Sequence, residues 1–324
     1  MNEDITAKIC PVRYGRKAIC TIISDDGRMQ TAENLSRLAA EFDCKVTVAQ
    51  AVRYVQNITR WRELEQHGKL EFISHSYNHR RLDDDNLSDK ELEHEITEAR
   101  QFMEDNFRTD QIAFVPPNNQ LSDRAYSVCE NQFYAIRRWK RLYNFLSPEQ
   151  GRDWLQWLNL GCKGIHDVET TAERNHWIDD VVLQEKWLIE MWHDVELEKT
   201  ERYQCTTLEE AKQHLTYIRE CACRNFLWVA PFTEAVKYIK EVQSCRLEVS
   251  KINRGEWKIF LDKGIAKKDD RFDMPLTLKI VVPEGVKQIY TISEGKKFKL
   301  ERQNDTSIQL ELNPGGVFEL LIDT

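Results

Sequence analysis

The sequence has no long hydrophobic run and no excess of basic residues. No stretch approaches the roughly 18 consecutive apolar residues that a helix needs to cross a bilayer, so we expect no membrane span. The net charge is −8, which gives none of the basic surface typical of nucleic-acid-binding proteins, so we expect no nucleic-acid partner. No internal repeat and no low-complexity linker is visible. With 31% charged and 41% hydrophobic residues, the composition is typical of a soluble globular protein.

Neither the first residues nor the cysteines fix the compartment. Residues 1–17 contain no apolar core, so we expect a cytoplasmic protein, or an exported one if a leader has been trimmed from the chain. The nine cysteines are an odd number that cannot all pair. Cys20 lies in a predicted buried strand, and Cys221 and Cys223 have the wrong spacing for a zinc knuckle. We interpret all nine as structural, and as more typical of reduced thiols than of disulfides.

Up to about residue 243, predicted strands and helices alternate. This alternation favours parallel βα units, in which functional residues gather at the carboxyl ends of the strands. Among the helices, Ser88 predicts a start because Glu91 three residues later completes a capping box. The predicted strands are 17–24, 45–51, 70–74, 111–115, 183–193 and 225–229, and the predicted helices are 31–42, 59–67, 88–106, 207–221 and 232–242.

After residue 243 the pattern changes to short runs, several of them alternating, separated by turn residues. This pattern predicts a small all-β, sandwich-like domain. We therefore predict two domains, residues 1–243 and residues 244–324. Carbohydrate binding and a purely structural role both stay open for the second domain. Its predicted strands are 246–249, 256–261, 276–282, 288–292, 297–301, 307–312 and 317–322.

Two adjacent carboxylates follow the first predicted strand. Residues 18–23 are apolar and β-branched, and they lead directly into Asp25, Asp26 and Gly27. Successive strand side chains point to opposite faces, so both acids can serve one site only if the chain turns there, which Gly27 permits. Carboxylates delivered by a buried strand are costly unless a cation or a proton is present. The segment therefore indicates a cation site or an acid–base site.

Histidines follow two further apolar runs. His75 and His79 come after the predicted strand 70–74 and are four residues apart, so one helical turn or a tight loop places both imidazoles on the same side. Two imidazoles and one carboxylate make a three-ligand metal site with an open position. His193 ends the apolar run that begins near Trp187. Each feature alone is typical of ordinary structure, but the three together, all after apolar strands, favour a metal site.

These residues, in this order, resemble the motifs of the polysaccharide deacetylases of carbohydrate esterase family 4, the NodB-homology domain. The first family motif is a strand ending in Asp-Asp, here Asp25 and Asp26. The second is His-Ser/Thr-x-x-x-His or a close variant, here His75 to His79, and the last is an apolar strand ending in histidine, here His193. The resemblance covers residues 18–194 and extends to about residue 240. It implies a distorted seven-stranded (β/α) barrel.

The resemblance also implies a mechanism, namely metal-assisted removal of acetyl groups from an acetylated carbohydrate. Asp26, His75 and His79 are expected to hold a divalent ion, most simply Zn²⁺. Asp25 is expected to be the general base and His193 the acid that protonates the leaving amine or alkoxide. The linkage, the sugar, the metal and the oligomeric state are not specified by the sequence.

The third family motif, usually Arg-x-Pro-Tyr, departs from the pattern. Val115 stands where the family has an arginine that orients the base, which leaves base orientation and efficiency open. Asn118 stands where the tyrosine would be, and its backbone N–H is expected to face the developing oxyanion. Trp192, beside His193, is expected to contact substrate. The family's acid-plus-tryptophan motif has two candidates, Asp153-Trp154 and Trp177; most tryptophans between 121 and 180 are expected to pack in loops and helices.

Two other functions stay open. Two histidines and one carboxylate also serve non-haem iron oxygenases, but these usually have antiparallel jelly-roll barrels, which the βα alternation disfavours. A catalytically weak or inactive carbohydrate-binding relative is the second alternative. The joint presence of Asp25, Asp26, His75, His79 and His193 favours an enzyme over that alternative.

Overall fold

Residues Ala18–Ser24 form a strand in which every side chain is buried, as their apolar and β-branched composition predicts. The structure is a computed structural model of the chain. The structure describes residues 4–138, 140, 142–147, 155–168, 170–293, 296–302, 304 and 306–323. Within these ranges no helix is both long enough and apolar enough to cross a membrane.

The described residues form strands and helices whose bounds follow the sequence patterns closely in most places. The strands are β1 (Thr6–Ile9), β2 (Ala18–Ser24), β3 (Val46–Gln50), β4 (Leu70–Ser74), β5 (Ala113–Phe114), β6 (Ala135–Ile136), β7 (Lys163–Gly164), β8 (Trp187–Trp192), β9 (Val195–Glu196), β10 (Thr206–Thr207), β11 (Leu227–Val229), β12 (Leu247–Asn253), β13 (Glu256–Leu261), β14 (Leu276–Val281), β15 (Gln288–Ser293), β16 (Lys296–Lys299), β17 (Ser307–Leu312) and β18 (Val317–Asp323). The α-helices are α1 (Met29–Glu41), α2 (Ile58–Gln66), α3 (Asp89–Glu93), α4 (Ala99–Asn106), α5 (Asp123–Glu130), α6 (Thr171–Gln184), α7 (Leu208–Cys223) and α8 (Phe232–Ser244).

The chain divides into two compact units, of which the larger is Lys17–Val236. Its main sheet has the strand order β6-β5-β4-β3-β2-β8-β7, with β11 also paired to β2. Every neighbouring pair in this sheet is parallel. This curled run of seven parallel strands confirms the predicted distorted seven-stranded (β/α) barrel. It is not the antiparallel jelly roll that is usual for the iron oxygenases.

Helices cover the outer face of this sheet because they bury apolar side chains against it. The strands contribute Cys20, Ile22, Val48 and Phe72, among others. Full burial of a valine, isoleucine or phenylalanine side chain stabilises the fold by about 1.5–3 kcal/mol. The helices contribute one face each, as the spacing of apolar residues predicts. The helix residues in this cluster include Leu35, Leu38, Trp61, Leu64, Ile178, Val181, Leu215 and Ile218.

The carboxyl ends of the parallel strands lie at one edge of the sheet, and this determines where the site forms. Asp25 follows β2, His75 follows β4, Val115 follows β5, Arg137 follows β6 and His193 follows β8. Residues far apart in sequence therefore meet at this edge.

The helix predicted over 88–106 is present but is not regular. Ser88 caps it with the predicted capping box, in which Glu91 bonds back to the Ser88 N–H. Between α3 and α4, residues His94–Glu98 form a π-helical segment. A π segment inserts an extra residue into a turn and so changes which side chains face inward.

The strand predicted over 183–193 begins only at Trp187, so its first residues were assigned wrongly. Leu183 belongs to α6 and is 81% exposed, whereas Val181 is buried in the core. The run Val181 to Leu183 is apolar, like a strand, but its exposure follows the helical period. The helix ends at Glu185, which adopts a left-handed conformation with φ of 52°.

The second unit comprises Met1–Arg16 and Lys237–Thr324. It contains one antiparallel sheet of order β1-β14-β17 and another of order β12-β13-β18-β15-β16. Apolar side chains from both sheets, such as Ile280 and Leu320, share one core, as expected for a sandwich. The predicted boundary differs at the N-terminus, because β1 pairs with β14 and residues 1–16 group with this unit. The short sequence of β1 contains no pattern that predicts pairing with a strand so distant in the chain.

Candidate active site

Asp26, His75 and His79 converge at the carboxyl edge of the sheet. The Asp26 Oδ1 atom lies 3.0 Å from His79 Nε2 and 3.7 Å from His75 Nε2. One potential ligand atom from each residue lies within 4.8 Å of the other two, and among the described residues this is the one such group of three or more. The structure therefore brings together the three residues predicted to hold a metal ion.

The backbone after β2 turns sharply, so that the two successive acids face the same cleft. Asp26 and Gly27 both adopt left-handed conformations, with φ of 73° and 70°. A Cβ on Gly27 would lie 2.2 Å from Oε1 of the buried Gln50. The Gln50 amide donates to the carbonyl oxygens of Gly27 and Ala51 and holds the turn. Only glycine fits here, for both conformational and steric reasons.

The imidazole of His75 is fixed in one tautomer. Its Nδ1 lies 2.7 Å from the carbonyl oxygen of Val115, which can only accept, so Nδ1 carries the hydrogen. The lone pair of Nε2 is then directed at Asp26. Such a bond to the second ring nitrogen is the usual way in which a metal-binding histidine is oriented.

His79 is held differently, through the backbone of its loop. Its N–H donates to Ser76 Oγ at 3.0 Å, and both Ser76 and His79 adopt left-handed conformations. Among the described residues its imidazole has contacts to Asp26, His75 and Tyr54 but no further hydrogen bond. The position of His79 therefore depends on what holds the loop of residues 76–79.

The donor set suits a divalent cation. Burial raises the pKa of the Asp26 carboxyl, but the neighbouring imidazoles of His75 and His79 outweigh that effect and hold the pKa well below its usual range. Asp26 is therefore an ionised carboxylate beside two imidazole nitrogens. This combination fits Zn²⁺ or a similar ion with open coordination positions.

Asp25 pairs with an arginine that the sequence motifs did not indicate. Arg137 is fully buried, and its Nη2 lies 2.7 and 2.6 Å from the two carboxylate oxygens of Asp25. Its Nη1 donates to Asn119 Oδ1 at 2.6 Å. The guanidinium that Val115 lacks is therefore supplied from the end of β6, the strand next to β5. The available signal was an arginine directly after the apolar residues 135–136.

His193 lies in the same cleft, which has a volume of about 310 Å³ and is lined by Asp25, Asp26, His75, His79, Asn118, Asn119, Met191, His193 and Tyr203. Ser24 Oγ donates to the His193 carbonyl and fixes its backbone. Burial lowers the pKa of the imidazole, while the charges of Asp25 and Asp26 oppose that shift. Among the described residues, its Nδ1 has no hydrogen-bond partner.

Trp192 was predicted to contact substrate, and the structure contradicts this. Its side chain is fully buried in the core beneath the helices, and its indole N–H donates to Glu190 at 2.9 Å. The alternation of strand side chains instead turns Met191 toward the cleft. Tyr203, which is 68% exposed and packs edge-on against His193, is an aromatic lining residue that the sequence did not single out.

The remaining predicted residues have different outcomes. Asn118 lines the cleft with φ of 55°, as an asparagine can adopt, and its oxyanion role stays a prediction. Trp177 is 7% exposed and packs in the core, so it is not a cleft residue. Asp153 and Trp154 lie outside the described residues.

Residues 14–135 match the family model described as polysaccharide deacetylase. The matched segment contains Asp25, Asp26, His75 and His79, and it ends before His193. The chain contains a polysaccharide deacetylase domain, which includes the matched residues. The deacetylase domain extends beyond the matched segment, because β8 and β7 complete the parallel sheet. No curated protein is similar enough in sequence to match the chain.

Solved structures resemble the deacetylase domain at low sequence identity. One from Mycobacterium smegmatis, assigned to the polysaccharide deacetylases, has a TM-score of 0.50 at 12% identity and covers 74% of this chain and 96% of that chain. A family 4 acetyl xylan esterase from Clostridium thermocellum in complex with a cobalt ion has a TM-score of 0.46 at 14% identity, covering 67% and 89%. A family 4 pseudoenzyme from Bacillus anthracis has a TM-score of 0.45 at 14% identity, covering 68% and 66%. At identities this low, the similarity concerns the fold.

Proposed function

We propose that this deacetylase domain is a metal-dependent hydrolase that removes acetyl groups, N- or O-linked, from an oligosaccharide or polysaccharide. The observation that supports the proposal is that three sets of side chains line one cleft. They are the group of Asp26, His75 and His79, which could hold a metal ion, the carboxylate of Asp25 held by Arg137, and the buried His193. Each has a separate task in the hydrolysis of an amide or ester.

Asp26, His75 and His79 would hold the ion, most simply Zn²⁺. When bound, such an ion supplies Lewis-acid polarisation of the acetyl carbonyl and makes a neighbouring water more acidic. Asp26 contributes an ionised oxygen, and the His75 ring is already oriented by Val115. The three side chains therefore need little rearrangement to bind a cation.

Asp25 is the base in this proposal. Its carboxylate removes a proton from the attacking water, and the two hydrogen bonds from Arg137 hold the carboxylate in position beside the cleft. Asp25 and Asp26 are adjacent in sequence, but the turn at Gly27 gives them different partners. Asp26 would therefore hold the ion, while Asp25 would accept the proton.

His193 is the acid. It delivers a proton to the departing amine or alkoxide, so that acetate and the free sugar group are released. Burial lowers the pKa of His193, which favours release of its proton. The backbone N–H of Asn118, a residue that lines the cleft, would donate a hydrogen bond to the acetyl oxygen that becomes negative during attack.

The test is release of acetate from chitin oligomers, peptidoglycan fragments and acetylated xylan, with and without chelation. The wild-type protein should bind about one divalent ion per chain and release acetate from at least one of these substrates. His75→Ala and His79→Ala should lose both ion and activity, whereas His176→Ala, at an exposed histidine outside the cleft, should retain both. Asp25→Asn should keep the ion and lose activity. If the wild-type protein binds no divalent ion after incubation with the metal, the proposal is contradicted.

A catalytically weak or inactive carbohydrate-binding relative is the second candidate. The observation that favours it is the absence, among the described residues, of a hydrogen-bond partner for His193 Nδ1. An imidazole without a carboxylate partner is less able to hold the proton that it must donate. Binding of an acetylated oligosaccharide without acetate release, by protein loaded with metal, would identify this alternative.

A further inference from the structure

The loop of residues 76–79 is held on one side by a single buried residue, Glu95. Its carboxylate accepts two hydrogen bonds from Asn78, one from the backbone N–H at 2.9 Å and one from Nδ2 at 2.9 Å. Its backbone carbonyl accepts a third, from the Tyr77 N–H at 3.1 Å. Glu95 is 1% exposed. Two successive residues before His79 thus direct their N–H groups at one glutamate.

The other side of the loop is held by the segment after β3. The carbonyl oxygens of Ser76 and Tyr77 accept from the N–H groups of Val52 and Arg53. The Arg53 side chain donates to the Asn78 carbonyl at 2.9 Å. The carbonyls of the loop therefore face residues 52–53, and two of its N–H groups face Glu95.

The π-helical segment His94–Glu98 explains how Glu95 reaches the loop. In a regular α-helix the Ala99 N–H would bond to the Glu95 carbonyl, but here it bonds to the Ile96 carbonyl. The Glu95 carbonyl can then accept from Tyr77. Glu95 and Ile96 are both buried, although adjacent residues of a regular helix point about 100° apart. Such single-turn π segments often mark functional sites.

His79 needs this support more than His75 does. The ring of His75 is oriented by Val115, whereas His79 has no corresponding bond from its ring among the described residues. Left-handed conformations at non-glycine residues such as Ser76 and His79 cost on the order of 1–3 kcal/mol each and persist only where neighbours hold them. The two bonds from Asn78 to the buried Glu95 carboxyl group are the strongest candidates for that restraint.

We infer that Glu95 is a positioning residue that sets the geometry of His79, and through it the affinity for a divalent cation. The inference rests on the proposed function, because it assumes that His79 is a metal ligand. Glu95 itself does not touch the ion. Removing it leaves the Tyr77 bond to its backbone in place, but frees the Asn78 N–H groups and allows the loop to shift.

The test measures Zn²⁺ affinity by competition with a chromophoric chelator, and the visible spectrum of the Co²⁺ form, which reports ligand number and geometry. Glu95→Ala should weaken Zn²⁺ binding by about 10–100-fold and change the Co²⁺ spectrum. Glu95→Gln should weaken binding less, because its amide oxygen still accepts one bond while its NH₂ faces the other donor. Glu98→Ala is the matched control, since Glu98 lies in the same π segment, is exposed and contacts His94. It should leave affinity and spectrum unchanged.

Asn78→Ala adds a double-mutant comparison. If Glu95 acts through Asn78, the double variant should bind Zn²⁺ no more weakly than Glu95→Ala alone. If Glu95 has a purely structural role, Glu95→Ala should lower the melting temperature but give the same Co²⁺ spectrum as the wild type. That result would overturn the inference. Should Glu95→Ala fail to fold, the isosteric Glu95→Gln decides the question by the same readouts. No metal binding by the wild type would overturn both this inference and the proposed metal site, whereas wild-type affinity in the Glu95 variants would overturn this inference alone.

Discussion

Arg137 and Asp25 form a buried ion pair across the sheet, with the guanidinium Nη2 2.7 and 2.6 Å from the two carboxylate oxygens. The residues are 112 positions apart in sequence. Arg137 directly follows β6 and Asp25 directly follows β2, so the curled sheet brings them together. The pair replaces the arginine that the third family motif would supply at Val115. Through Arg137, Asp25 is also linked to the cleft residue Asn119, whose side chain accepts a hydrogen bond from Arg137.

Arg137→Ala should impair both stability and catalysis. Removing one partner of a buried ion pair costs about 3–5 kcal/mol, because the other charge is left unpaired. Without the guanidinium the Asp25 carboxylate loses both of its hydrogen bonds to Arg137 and is no longer held in place beside the cleft. The kcat for acetate release should therefore fall, with a smaller change in KM. Arg138→Ala is the comparison, because Arg138 contacts the Asn119 carbonyl but not Asp25. A wild-type kcat in Arg137→Ala would refute this role.

His193→Ala should affect substrates according to their leaving groups. A general acid contributes about 10²–10⁴-fold in rate when the leaving group needs a proton. Acetylated amino sugars and sugar esters should therefore show a loss of that order. An aryl acetate, whose phenolate leaves without protonation, should lose much less. Steady-state rates on both substrate types measure the difference, and an equal loss on both would argue against an acid role.

Gly27→Ala should destabilise the turn that carries Asp26. Two effects add here, namely the left-handed φ of 70° and the overlap of a new Cβ with the Gln50 side chain. Gly68→Ala separates them, since Gly68 has φ of 73° but no atom within 4 Å of its Cβ position. The control should lose only the conformational part, about 1–2 kcal/mol. Gly27→Ala should have a lower free energy of unfolding, measured by chemical denaturation, and a lower Zn²⁺ affinity than Gly68→Ala. Equal losses of stability in the two variants would show that the steric overlap at Gly27 is relieved.

Glu241 should make the stability of the second unit fall as the pH rises. Burial raises the pKa of this carboxyl from 4.5 to about 8, although Oε1 accepts the Met274 N–H at 3.0 Å. Because the folded-state pKa is raised, the folded protein holds the proton more tightly than the unfolded chain does. The stabilising effect is complete below about pH 4.5 and is lost as the pH approaches 8.

The Glu241 effect can be measured against Glu241→Gln, which resembles the protonated side chain but does not titrate. The free energy of unfolding of the wild type should decrease relative to that of the variant between pH 5 and pH 8. The two proteins share every other titrating group, so the difference between them isolates Glu241. A constant difference across this range would show that the carboxyl is ionised at neutral pH.

Much of the site could be predicted because its residues sit beside strong local patterns. The apolar β-branched run of β2 ends at the Asp25-Asp26-Gly27 turn, and His75 directly follows β4. The strand bounds 70–74 agree with the predicted bounds because the run is uniformly buried. Trp192 was assigned wrongly because a strand's two faces cannot be told apart when both are buried. Met191 and Trp192 are both buried, and only the direction of the side chain in the structure shows that Met191 lines the cleft.

The sequence by itself determined the alternation of strands and helices, the two acids, the three histidines and the all-β character of the later segment, since each is encoded within a few neighbouring residues. The tertiary structure decided that Arg137 serves Asp25, that a π segment turns Glu95 toward the His79 loop, and that β1 joins β14. These pairings depend on how the sheets curl and which strands become neighbours. They join residues distant in the chain, and no local pattern specifies them.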